Sequence, residues 1–129
     1  MQARLIMTAS AVVYGLFGAV LLFLSKEVLA LDATATNARL IAQLLGAAML
    51  GMAAMNWIAR GSILGGIYGR AILAGNFTYT FISLLISLRA WFAASENGWL
   101  GFSAAFYFIL FGGFGFLLFG KPRLGHRKT

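Results

Sequence analysis

Four long apolar stretches divide this chain, with short polar segments between them. They run from Leu5 to Leu24, Leu40 to Ala59, Ala71 to Leu88 and Leu100 to Phe119, and none contains Asp, Glu, Lys, Arg or His. An α-helix needs about 17–25 residues to cross the hydrocarbon core of a bilayer, and each stretch has that length. Strands are excluded as spanning elements, because the stretches show no alternation and are too few to close a barrel. The pattern therefore predicts an all-α integral membrane protein. It is read as one domain, residues 1–129, with helices over about 5–24, 40–59, 71–88 and 100–119 packed as a four-helix bundle. The first stretch exceeds the usual 7–15 residues of a signal-peptide core, so it reads as a retained span.

The segments between the stretches carry turn and cap signals. Asp32, Thr34 or Thr36 is expected to cap the second helix through a side-chain oxygen. Gly61, Gly65, Gly66 and Gly69 loosen the second connection, Asn97-Gly98 marks a turn in the third, and Gly120-Lys121-Pro122 is a helix stop. Within the stretches, small residues recur at steps of four: Ala11, Gly15 and Ala19 in the first, and Ala42 with Gly46 and Ala47 with Gly51 in the second. Ala71 with Gly75 and Gly101 with Ala105 follow in the third and fourth. Such residues let membrane helices approach closely, where apolar burial gives little driving force. The fourth stretch carries Phe102, Phe106, Phe108, Phe111, Phe114, Phe116 and Phe119 on all sides, which are expected to face lipid, fill gaps or meet another protein's helices.

Composition agrees with a lipid environment. Charged residues make up only 10% and hydrophobic residues 61%, whereas a soluble domain coats itself with about 25% charged residues. The net charge of +7 is scattered between apolar stretches, which fits anionic lipid headgroups rather than nucleic acid. Its distribution predicts orientation. Alternate ends of the four spans place Arg4, Arg60, Arg70, Lys121, Arg123, Arg127 and Lys128 on one side, without an acidic residue. Lys26, Arg39 and Arg89 share the other side with Glu27, Asp32 and Glu96. Basic residues in short loops stay cytoplasmic, so both chain ends are predicted inside. Arg60, Arg70, Lys121, Arg123, Arg127 and Lys128 are the candidate headgroup contacts.

Candidate chemistry is sparse. Asn76, Thr80, Ser83 and Ser87 lie within roughly a 60° arc of one helix face, a polar seam that should point away from lipid. It can serve interhelical hydrogen bonds, worth about 0.6 kcal/mol each on average. Alternatively, it can line a pocket for a hydrophobic ligand. Tyr14, Tyr79 and Tyr107 lie near the middle of their stretches, and a buried tyrosine hydroxyl wants a partner. Convergence of Tyr14 and Tyr107 on Asn76, Thr80 and Ser83 would make a small mid-membrane cluster able to orient a lipid or quinone. Gln43 and Asn56 are further polar positions. No cysteine is present, which removes disulfides and thiolate chemistry. His126 stands alone in the tail, so no intramembrane histidine pair can hold a haem or metal, and no cofactor is expected. The stretches lack the ionisable residue that proton-coupled transporters carry. The acidic residues lie outside them, so no enzymatic activity is expected.

The segments "ARLIAQLLGAAMLGMAAMNWIAR" (Ala38 to Arg60), "GRAIL" (Gly69 to Leu73) and "GWLGFSAAFYFILFGGFGFLLFG" (Gly98 to Gly120) resemble small bacterial four-span proteins of the DoxX-like group. Where members often carry a proline after the first span, this chain has Ser25-Lys26-Glu27. The resemblance implies a bundle in the bacterial inner membrane and carries over no catalytic residue. The sequence thus leads to a non-enzymatic membrane protein that works by contact, as an accessory or assembly subunit of a larger complex or as a homo-oligomer. A binder or carrier of a hydrophobic small molecule is the alternative, and a small channel or transporter the third reading.

Overall fold

The computed structural model describes residues 2–30, 34–61, 66–93 and 98–120. Among these residues five helices follow in order: α1 (Gln2–Phe23), α2 (Ser25–Val28), α3 (Thr36–Ala59), α4 (Ile67–Ala93) and α5 (Gly98–Phe119). No strand occurs among the described residues. Helices α1, α3, α4 and α5 are each long and apolar enough to cross a membrane, the make-up of a multi-pass membrane protein.

Each long helix outruns the apolar stretch that announced it. α3 begins before Arg39, and α4 takes in both Arg70 and Arg89. An uncharged stretch measures the hydrocarbon, whereas a helix goes on satisfying its own N–H and C=O groups beyond it. Among the described residues no side chain makes the cap expected for the second span, and Ala35 holds the N-cap position. Thr36 is already helical, and its N–H donates instead to the Thr34 carbonyl at 2.9 Å. Asp32 lies outside the described residues. The one-turn helix α2 was not foreseen. It closes with the Leu29 N–H on the Ser25 carbonyl at 3.1 Å, and Ala30 then turns the chain with φ at 47°, a left-handed position more often given to glycine.

The chain divides into two compact units, residues 1–62 and 63–129. In the first, α1 and α3 form an antiparallel hairpin. The face of α1 that is buried comprises Met7, Ser10, Ala11, Tyr14 and Gly18, and that of α3 Ala42, Gly46, Met49, Ala53, Asn56 and Ala59. Steps of three and four residues keep each set on one side of its helix. The two backbones approach closely at two glycines. A Cβ on Gly18 would lie 2.8 Å from the Gly46 carbonyl oxygen, and a Cβ on Gly46 would lie 2.7 Å from the Gly18 carbonyl oxygen. No residue but glycine fits on either side of so close a backbone approach. Of the small residues picked out in sequence, Ala11, Ala42 and Gly46 lie in this seam, while Ala47 and Gly51 face outward.

The second unit is the hairpin of α4 and α5, joined by rings rather than by bare backbone. Phe77 of α4 has its ring centroid 4.8 Å from that of Phe111 and 5.6 Å, edge-on, from that of Phe119. Phe81 meets Phe111 at 5.4 Å. Gly115 makes room for this cluster, since a Cβ there would come to 3.3 Å from the Phe77 ring. Near the far end of the hairpin, the Trp91 indole lies against Gly101 in the same way. The phenylalanines of α5 therefore divide. Phe111 and Phe119 meet Phe77 of α4, Phe119 being otherwise 74% exposed, while Phe114 is fully buried and Phe102, Phe108 and Phe116 are exposed.

Candidate functional site

Buried polar groups occur in both units. In the first, α1 brings Ser10 and α3 brings Asn56 to the same level, and both are fully buried. The Asn56 amide donates to Ser10 Oγ at 3.1 Å, and Ser10 Oγ donates in turn to the Met7 carbonyl at 3.0 Å. Tyr14, also fully buried, follows one turn after Ser10 on the same face of α1. At the opposite end of the hairpin, the Gln43 amide donates to the Leu22 carbonyl at 3.4 Å. That carbonyl belongs to the last turn of α1, where carbonyls outnumber the helix's own N–H donors.

Ser10 was missed in the sequence reading, although Asn56 and Tyr14 were singled out. Its signal was the four-residue step to Tyr14, which puts both hydroxyls on one helix face. A double-mutant cycle tests the pair. Ser10→Ala, Asn56→Ala and the double variant should give a coupling of about 0.6 kcal/mol, and no more than about 1.7 kcal/mol, when unfolding is followed in mixed micelles. Strictly additive losses would mean that the bond adds nothing to the hairpin.

In the second unit the polar face of α4 lies as its spacing predicts. Asn76, Thr80 and Ser87 are buried and Ser83 is partly so. Asn76 and Thr80 bond carbonyls of their own helix. The Asn76 amide donates to the Ile72 carbonyl at 2.9 Å, and the Thr80 hydroxyl is shared between the carbonyls of Asn76, at 2.9 Å, and Phe77, at 3.1 Å. Such back-bonding is how hydroxyl residues are accommodated inside a span. Tyr107 of α5 finds Tyr79 of α4: the two hydroxyl oxygens are 3.4 Å apart, with the rings edge-on at 6.1 Å between centroids. Of the residues expected to converge, Asn76, Thr80 and Ser83 share one face of α4, Tyr107 meets Tyr79, and Tyr14 belongs to the first unit.

Of the headgroup candidates, Arg60 follows α3 directly, and its guanidinium carbon stands 3.3 Å over the centre of the Trp57 ring. Arg70 is exposed in the first turn of α4. Lys121, Arg123, Arg127 and Lys128 lie outside the described residues, as does His126. Among the described residues no group of three or more His, Cys, Asp or Glu side chains could hold a metal ion. The arrangement supplies neutral donors and acceptors, with Ser10–Asn56 linking α1 to α3 and Tyr79–Tyr107 linking α4 to α5. Comparison with protein-family models, with curated proteins and with solved structures finds no match to this chain.

Proposed function

We propose that this chain is a non-enzymatic multi-pass membrane protein that works by contact with other membrane helices, as an accessory or assembly subunit or as a self-associating bundle. The DoxX-like resemblance and the cationic flanks support a place in a bacterial inner membrane with both ends cytoplasmic. The supporting observation is the outward face of α3. Leu44, Ala47, Gly51, Ala54 and Ile58 follow one another at steps of three and four, and all are exposed. A Cβ on Gly51 would meet nothing within 4 Å. This face has the make-up that lets α1 and α3 approach within the first unit, small residues flanked by larger apolar ones, and membrane helices associate through such surfaces.

Native mass spectrometry after gentle detergent extraction tests the reading. A homo-oligomer or a defined complex is expected, reduced to the single chain by Gly51→Leu. Recovery of the wild-type chain alone, without partner or self-association, defeats it.

A second reading, a binder or carrier of a lipid or quinone, is supported by the Tyr79–Tyr107 pair. Half-buried phenols near the middle of their helices have the chemistry to bond a carbonyl oxygen within hydrocarbon. Co-purification of such a molecule, abolished by Tyr107→Phe, would move the assignment to this class.

A further inference from the structure

We infer that the open end of the first hairpin, at Arg60, Trp57 and Arg4, binds the phosphate of an anionic phospholipid. Three observations converge there. The first is the Arg60–Trp57 stack, with the guanidinium carbon 3.3 Å from the ring centre. A helical side chain leans over the turn that precedes it, so Arg60, following α3 directly, is drawn back toward the membrane instead of reaching into water. Its charge is held at the depth of an indole, and indoles settle at headgroup level. Stacking engages the face of the guanidinium and does not consume its N–H edges, the planar fork that matches a phosphate. The side chain is ordered before any ligand arrives, which lowers the cost of binding.

The second observation is charge without a counter-charge. Gly18 lies against Gly46 and Ser10 against Asn56, and continuing that register brings Arg4 of α1 level with the end of α3. Arg4 is exposed, and no acidic residue occurs among the described residues at this end of the hairpin. The only acidic residue described in the unit, Glu27, is at the other end. Two arginines lacking a carboxylate favour a ligand with net negative charge. A zwitterionic headgroup brings its own cation and is the poorer match.

The third is the apolar surface beside the charges. Leu5 and Ile58 are 72% and 76% exposed, and Trp57 is 47% exposed. Acyl chains can lie along these side chains while the phosphate sits on the arginines, and a free phosphate ion gains nothing from them.

The test uses the full chain in detergent micelles, titrated with phosphatidylglycerol and phosphatidylcholine of matched acyl chains, with retained lipid counted by native mass spectrometry. Phosphatidylglycerol should be retained in preference, and removing either charge, by Arg60→Gln or Arg4→Gln, should weaken retention roughly five-fold. Arg60→Lys should fall between wild type and Arg60→Gln, because an ammonium keeps the charge but cannot present the fork. Arg89→Gln, in the other unit, should leave retention unchanged. Equal retention of the two lipids overturns the inference, and so does an Arg60→Gln result equal to that of Arg89→Gln. Displacement of the lipid by millimolar inorganic phosphate would reassign the site to a free anion and equally overturn it. Circular dichroism checks that each variant keeps its helices, and Arg4→Gln decides if Arg60→Gln does not.

Discussion

Gly46→Ala should destabilise the first hairpin by about 1–3 kcal/mol, the usual range for forcing a methyl group into a filled contact. The added carbon would come to 2.7 Å from the Gly18 carbonyl oxygen and 2.9 Å from the Leu22 nitrogen. Both obstacles are backbone, so no side-chain rotation relieves them and the helices must separate. Separation loosens the neighbouring parts of the seam, where Gly15 faces Ala53 and the Gln43 amide donates to the Leu22 carbonyl at 3.4 Å. Gly18→Ala should behave alike, since the approach is reciprocal. Gly51→Ala on the outer face of α3 is the control. It meets nothing within 4 Å, and alanine is the better helix former, so its stability should stay within about 0.5 kcal/mol of wild type or rise slightly. Unfolding with increasing SDS in mixed micelles gives the comparison. If Gly46→Ala and Gly51→Ala shift the midpoint equally, the crossing point has been misplaced.

The same crossing shows what the sequence could and could not reveal. Steps of four between small residues flagged Ala42 with Gly46 and Ala47 with Gly51 alike, because a small-residue pair marks where a helix can approach a neighbour. Which pair is used depends on the rotation of the whole helix, and that is fixed by contacts distant in sequence. Asn56 on Ser10 turns the Gly46 face of α3 inward and leaves Gly51 outside. On α1 the four-residue steps of Ala11, Gly15 and Ala19 pass over Gly18, which lies directly against Gly46. The polar face of α4 was more legible. Asn76, Thr80, Ser83 and Ser87 share one arc from local geometry alone, and no partner is needed to derive it. What that face does was not legible. Whether Thr80 bonds a ligand or the carbonyls of Asn76 and Phe77 is a choice of rotamer, and sequence spacing is silent on it. The spans themselves were plain from the apolar stretches, but their ends were not, since charge marks the edge of hydrocarbon and not the end of a helix.

The rings of the second hairpin lead to a prediction of similar size with a different physical origin. Phe77→Ala should cost about 1–3 kcal/mol, because each aromatic pair contributes about 0.5–1.5 kcal/mol beyond buried area and two pairs cross from α4 to α5 at this residue. Those pairs are Phe77–Phe111 at 4.8 Å and Phe77–Phe119 at 5.6 Å. In water the loss would include the transfer of a half-buried ring. In a bilayer that term is small, because lipid is as apolar as the seam and the separated helix already exposes its ring to it. What disappears is ring-to-ring geometry and the packing of Phe77 on Gly115. Phe77→Leu keeps apolar volume without a ring and should recover only part of the loss. Phe108→Ala serves as the reference: Phe108 is 64% exposed and faces outward, so its removal should change stability by less than about 0.5 kcal/mol. Equal losses at Phe77 and Phe108 would mean that the hairpin is held by general apolarity. A gap of 1 kcal/mol or more, about the worth of one aromatic pair, would show that shape-specific ring contacts hold α4 to α5 where the hydrophobic effect cannot.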